Sequence, residues 1–155
     1  MAGTLPRQTL INEPQPLTLA PGVAGVGTSA SISVQAVRAP QESSRSLTGA
    51  VVRSALECRE PTVAFIVQPF AGLDALRGLR AVLELDVYDA AGVTPAYTIT
   101  RDVTGTLLLT RGTVTVSPAD LYCFVARLTL QNLSGGTVAM QVLKRITGLA
   151  AGGES

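Results

Sequence analysis

The stretch from Ser117 to Thr147, SPADLYCFVARLTLQNLSGGTVAMQVLKRIT, constrains the fold more than any other. It holds two alternating runs joined by a turn-rich link. In the first, Tyr122, Phe124, Ala126, Leu128 and Leu130 fall on one face, and Cys123, Val125, Arg127, Thr129 and Gln131 on the other. A period of two with a polar partner face marks a half-buried strand. In the second run Val138, Met140 and Val142 alternate with Ala139, Gln141 and Leu143. Leu133-Ser134-Gly135-Gly136 reads as the turn between them, its glycines free to take positive φ. The expectation is a hairpin against which the other strands pack.

Further strands follow from the same reasoning. Ser29 to Arg38 alternates, Thr62 to Gln68 is short and β-branched, and Arg80 to Tyr88 sets Leu83, Leu85 and Val87 against Glu84, Asp86 and Tyr88. The chain turns at Asp89-Ala90-Ala91-Gly92 and returns through Tyr97, Ile99 and Arg101. Leu47 to Cys58 fits either period and is read as strand. Leu107 to Thr110 and Thr113 to Val116 read as short strands broken at Arg111-Gly112, and Gly72 to Gly78 as a helical turn or two. About seven to nine short strands with almost no helix predict an all-β fold, an antiparallel β-sandwich or barrel.

Residues 1–27 differ from the rest. Pro6, Pro14, Pro16 and Pro21 fall there, and each fixes φ and holds its predecessor extended. The apolar residues between them, Leu5, Leu10, Ile11, Leu17 and Leu19, are more than a solvated tail would keep. The reading is an extended Pro-rich N-terminal arm lying on its own domain or on a neighbouring subunit, with a first strand and a frayed terminus as the alternative. Residues 28–148 then form the β domain and 149–155 a flexible tail.

Charged residues make up 15% of the 155-residue chain, against about 25% in an ordinary soluble domain. A surface so poor in charge favours a stable oligomer, because large exposed apolar patches mark interfaces. Net charge is +1 with no basic run, so the electrostatic footprint of a nucleic-acid binder is missing. No apolar run approaches the ~18 residues of a membrane-spanning helix, and MAGTLPRQTL lacks the pattern of a secretory signal.

The chain has no histidine, which removes Ser-His-Asp and Cys-His catalysis and the commonest zinc ligand. No glycine cluster has the lysine of a phosphate-binding loop. Asp86, Asp89 and Asp102 sit near turns, where carboxylates bind calcium or, more ordinarily, cap the local backbone. Asn132-Leu133-Ser134 matches a glycosylation sequon and reads as part of the turn. The expectation is no catalytic residue, no cofactor and no metal: not an enzyme.

Cys58 and Cys123 resemble the inter-sheet cysteine pair of immunoglobulin domains through Asp120-Leu121-Tyr122-Cys123. The family's tyrosine stands two residues before its cysteine, however, whereas Tyr122 is adjacent here, and tryptophan is absent. Two buried thiols are expected instead. In overall character, with a Pro-rich arm on a small, charge-poor, helix-poor β domain, the chain resembles the head decoration (cement) proteins of tailed bacteriophages, including those of thermophilic phages. That resemblance implies a homotrimer on the capsid exterior, made in the host cytoplasm, with the major capsid protein as its partner. Leu5, Leu10, Ile11, Leu17 and Leu19 would be the arm's subunit and capsid contacts. The alternatives are a small β-barrel major capsid protein, a tail or fibre component, or a non-viral β-sandwich binding module.

Overall fold

A computed structural model describes residues 8–21, 28–38, 49–89, 91–116 and 123–150. Nine strands carry the fold: β1 (Gln8–Leu19), β2 (Ser29–Ser33), β3 (Val37–Arg38), β4 (Leu56–Pro69), β5 (Leu79–Tyr88), β6 (Tyr97–Asp102), β7 (Thr113–Val116), β8 (Cys123–Asn132) and β9 (Val138–Ala150). Helix α1 (Ala50–Ser54), a 3-10 helix (Leu73–Gly78) and helix α2 (Thr104–Leu109) lie in the connections.

One sheet runs β1-β9-β4-β7, and the other runs β2/β3-β8-β5-β6. The ladder is continuous at one corner, where β3 pairs parallel with β4 (Val37↔Leu56) and antiparallel with β8 (Val37↔Phe124). All other pairings are antiparallel. The core lies between the sheets: Val63, Phe65, Val67, Met140, Val142 and Ile146 from one meet Leu83, Leu85, Phe124, Ala126, Leu128 and Leu130 from the other. With β2 and β3 counted as one interrupted strand, eight strands pass between the sheets at every connection but β5–β6, in the order of a double Greek key. The domain is a jelly roll, one form of the β-sandwich.

The alternation in β8 and β9 is as the sequence predicts. Phe124, Ala126, Leu128, Leu130, Val138, Met140 and Val142 are buried, and Val125, Arg127, Thr129 and Gln131 are half-buried, whereas Cys123, expected on that same face, is fully buried. Tyr122 lies outside the described residues. The hairpin itself is a correction. β8 lies between β2/β3 and β5 and β9 between β1 and β4, so residues 133–137 carry the chain from one sheet to the other. Asn132 enforces this corner: it is fully buried, and its Nδ2 donates to Leu19 O (2.9 Å) and Gly136 O (2.8 Å). Its Oδ1 accepts from Ser134 N (2.9 Å) and Ser134 Oγ (2.7 Å). The sequon asparagine is therefore used up inside the fold.

The N-terminal segment takes the alternative of a first strand. Gln8–Leu19 is no separate arm but the edge strand of its own sheet, in register with β9 from Gln8↔Gly148 to Leu19↔Val138. Leu19 is 2% exposed, and Leu10, Ile11 and Leu17 pack against the core. The proposed boundary at 27/28 thus cuts a sheet in two; Leu5 lies outside the described residues. Among the described residues β1 meets a neighbour on one side only. Pro14 and Pro16, two residues apart, leave the Gln15 and Leu17 positions free to bond β9 while removing donors from the open edge. That is how native sheets guard an edge. The proposed tail boundary at 149 also falls inside a strand, because β9 runs to Ala150.

Two strand readings become helices. Residues 50–54 of the Leu47–Cys58 stretch form α1, with Val52 fully buried. The helix begins at Gly49, where a Cβ would lie 1.9 Å from Ala91 O, so the β5–β6 connection packs directly on its backbone. Leu107–Thr110 likewise belongs to α2 and its end, not to a strand. Asp102 Oδ1 accepts from Thr104 N (2.9 Å) and turns the chain out of β6 into the helix.

Replacing Asn132 with Ala removes a donor from Leu19 O at the buried end of β1 and the acceptor of Ser134 in the corner. It should cost about 2–4 kcal/mol in urea unfolding. Arg127→Ala removes only a part-exposed ion pair and should cost about 1 kcal/mol or less. Equal losses in the two variants would show that the amide does not hold the corner.

Candidate functional site: an apolar loop end

The strand directions divide the connections between two ends of the sandwich. The β1–β2, β4–β5, β6–β7 and β8–β9 connections gather at one end, and the others at the opposite end. Five of the seven large apolar side chains exposed among the described residues belong to the first end: Phe70, Leu73, Leu108, Leu109 and Leu133. Phe70 is 68% exposed and Leu109 87%. Scattered exposed leucines are ordinary, but their gathering at one end of a charge-poor domain makes that end the candidate site.

Local structure puts each of them outside. Phe70 N donates to Ala139 O (3.0 Å), pinning its backbone to the start of β9. The 3-10 helix buries Leu76 and leaves Leu73 outward. Leu133 N donates to Gly78 O (2.7 Å), fastening the β8–β9 corner to that helix. In α2, Leu107 is fully buried while Leu108 and Leu109 face solvent.

Helix α2 ends in a Schellman motif, with Gly112 N donating to Leu107 O (2.8 Å) and Arg111 N to Leu108 O (3.3 Å). The left-handed position in this motif usually belongs to glycine, yet Arg111 holds it at φ 57°. A non-glycine residue there costs roughly 1–2 kcal/mol. Gly112 follows at φ 104°, and a Cβ on it would lie 2.3 Å from Val67 O. Gly112 O accepts from Val67 N (2.7 Å), which locks the helix end onto β4. Between the 3-10 helix and α2 lies an open groove of about 550 Å³, lined by Leu73, Asp74, Leu76, Arg77, Leu108 and Arg111.

The carboxylates singled out in the sequence are engaged in local bonding. Asp86 accepts from Thr98 Oγ1 (3.0 Å) and Arg127 Nη2 (3.4 Å), and Asp89 Oδ1 accepts from Ala91 N and Gly92 N. Hydrogen bonds from the Thr104 backbone and hydroxyl hold the Asp102 carboxyl below its ordinary pKa, with Arg80 adding to the effect. Burial works against the Arg127 charge, but bonding to Glu84 and the neighbouring Asp86 carboxylate raise its pKa on balance. Among the described residues no group of three or more Cys, Asp or Glu could hold a metal. Of the expected arm contacts, Leu10, Ile11, Leu17 and Leu19 serve their own core, and none belongs to the apolar end. A strand over Leu107 to Thr110 hides that end; Asp102 two residues before Thr104 and the Arg111-Gly112 stop are the signals that mark the helix.

Cys58 and Cys123 are both buried thiols. Burial pushes the Cys123 thiol up, with the nearby Arg38 guanidinium pulling the other way. A raised folded-state pKa favours the protonated thiol, so this contribution to stability is complete below the ordinary thiol pKa of about 8.5 and is lost as pH rises through the folded value. Cys123→Ala should therefore flatten the alkaline fall in melting temperature. In the native parent protein Cys123 should resist a thiol reagent at pH 8, and prompt labelling there would contradict the burial.

A scan against family models and searches of curated proteins and of solved structures find no match to this chain.

Proposed function

We propose that the protein is a structural subunit of a virion, a decoration protein seated as a homotrimer on the capsid exterior of a tailed bacteriophage. The observation that carries the reading is the apolar loop end, where Phe70, Leu73, Leu108, Leu109 and Leu133 stand in water on a chain with 15% charged residues. Such a surface gains most when another protein covers it, at roughly 25 cal/mol for each Å² of apolar area buried. A flank of the sandwich is of another kind. On the outer face of the β2/β3-β8-β5-β6 sheet, Ser31 bonds Thr129 (2.8 Å) and Arg127 pairs with Glu84 (3.2 Å) and Asp86. A polar flank and an apolar loop end suit a molecule that turns one surface toward a shell and leaves another in solvent.

The strand order favours a second reading, that of a small capsid subunit which itself builds the shell. Jelly rolls serve as shell-forming domains as well as lectins and cupins, and the fold alone does not choose among them. Purified protein decides between the two. A decoration protein remains a small oligomer and adds to preformed shells, whereas a shell-former assembles closed particles by itself.

The expected result is a trimer by light scattering at micromolar concentration and density on assembled particles by electron microscopy. Leu109→Asp, at a site already exposed, should leave the thermal melt within about 0.5 kcal/mol of the parent while weakening attachment to shells or between subunits. A monodisperse monomer, with Leu109→Asp indistinguishable from it on particles, would falsify the proposal.

A further inference from the structure

We infer that the groove between the 3-10 helix and α2 is a docking site for an extended acidic segment of a partner protein, with apolar side chains on its floor and a carboxylate against Arg77 and Arg111. The inference rests on the reading of the loop end as an interaction surface and names the chemistry of what binds there.

Three observations converge. First, the groove is open, with a volume of about 550 Å³, and three of its six lining residues are leucines: Leu73, Leu76 and Leu108. Second, its lining carries two cations, Arg77 and Arg111, beside one carboxylate, Asp74. Among the described residues no ion pair involves Arg77 or Arg111; Arg53, Arg101 and Arg145 share that condition, but only these two guanidinia line one groove. A guanidinium beside a partly dry groove favours a bidentate carboxylate, whose geometry matches its fork of donors. Third, Arg111 keeps a left-handed backbone at a helix end where glycine sits without strain. Strain that persists at a groove rim points to use of the side chain.

Asp74 narrows the class of ligand. A carboxylate on the rim repels dense polyanions, and two guanidinia fall far short of the phosphate contacts that nucleic-acid binders assemble. An alternating acidic and apolar strand fits instead. Its leucine-like side chains enter the floor, its carboxylate meets the arginines, and a backbone N–H or basic side chain can face Asp74.

The test uses the whole protein and a fluorescein-labelled synthetic peptide that alternates leucine with glutamate, read by anisotropy. The acidic peptide should bind saturably. Affinity should fall by about tenfold or more in the Arg77→Ala, Arg111→Ala double variant, and similarly for a peptide with glutamine in place of glutamate. Arg111→Gly should raise the melting temperature while weakening the peptide, a split that a purely structural arginine would not produce. The inference is overturned by no saturable binding, by equal binding of the glutamine peptide, by an undiminished double variant, or by a single-stranded oligonucleotide binding more tightly than the peptide. Leu109 does not line the groove, so Leu109→Asp separates the two claims. Lost assembly in that variant together with no peptide binding overturns the groove and leaves the loop end as an interface. Peptide binding with unchanged assembly supports the groove and removes the broader reading.

Discussion

The buried amide of Asn132 is the interaction on which the loop end depends. An amide removed from water must find partners for both its donors and its acceptor, and this one does so by reaching three parts of the chain. Its side chain bonds the end of β1 at Leu19 O, the corner at Gly136 O and the Ser134 backbone. Its own backbone N donates to Thr28 O (3.0 Å), at the entry to β2. The next residue, Leu133, donates to the end of the 3-10 helix. Connections distant in sequence therefore share one set of hydrogen bonds, and the groove inherits one wall from that set. Any change that frees the amide would be felt in β1, in the corner and in the 3-10 helix together.

Alternation was legible wherever a strand has one wet face. β5 and β8 show it because Glu84, Asp86, Arg127 and Thr129 stand between apolar neighbours, and solvent explains their position without knowledge of a partner. Pairing was not legible, since periodicity describes one strand and is silent about which strand lies beside it. Leu133-Ser134-Gly135-Gly136 suits a hairpin turn and a sheet-to-sheet corner equally, and only the burial of Asn132 separates them. The leucines of α2 fit both periods over so short a run. A local turn at Asp102, just before the helix, and a stop, Arg111-Gly112, set the helix there, and both signals are local and weak beside three leucines in a row. The apolar end was hidden for the same reason, because exposure of Leu108 and Leu109 follows from helical geometry.

Lysine is used once in this chain, and its position is informative. Lys144 belongs by alternation to the inner face of β9, opposite Phe65 in β4. Its aliphatic stem runs through the flank of the sandwich, and Nζ donates to Ser33 O of the other sheet (3.3 Å) while meeting Glu13 of β1 at 3.8 Å. A long stem with a compact charged head suits that path, in which methylene groups cover apolar surface and the ammonium reaches its partners outside. This side chain links the two sheets on the flank where β1 and β2 lie, while β3 joins them through backbone bonds at the corner with β4. The sandwich is thus braced by different chemistry at different places.

The pairing of Gln8 with Gly148 carries a consequence for how the molecule can be tethered. The outer ends of β1 and β9 lie side by side, and β9 spans thirteen residues, roughly 40 Å, from there to the groove end. A polypeptide fused before Gln8 or after Ala150 therefore starts from the pole opposite the groove, clear of anything docked there. Tension applied through two such fusions would open β1 from β9 one rung at a time, as a zipper opens, because neighbouring antiparallel strands pulled from adjacent ends cannot share the load. The domain would thus display cargo readily but yield early to a pull on that cargo.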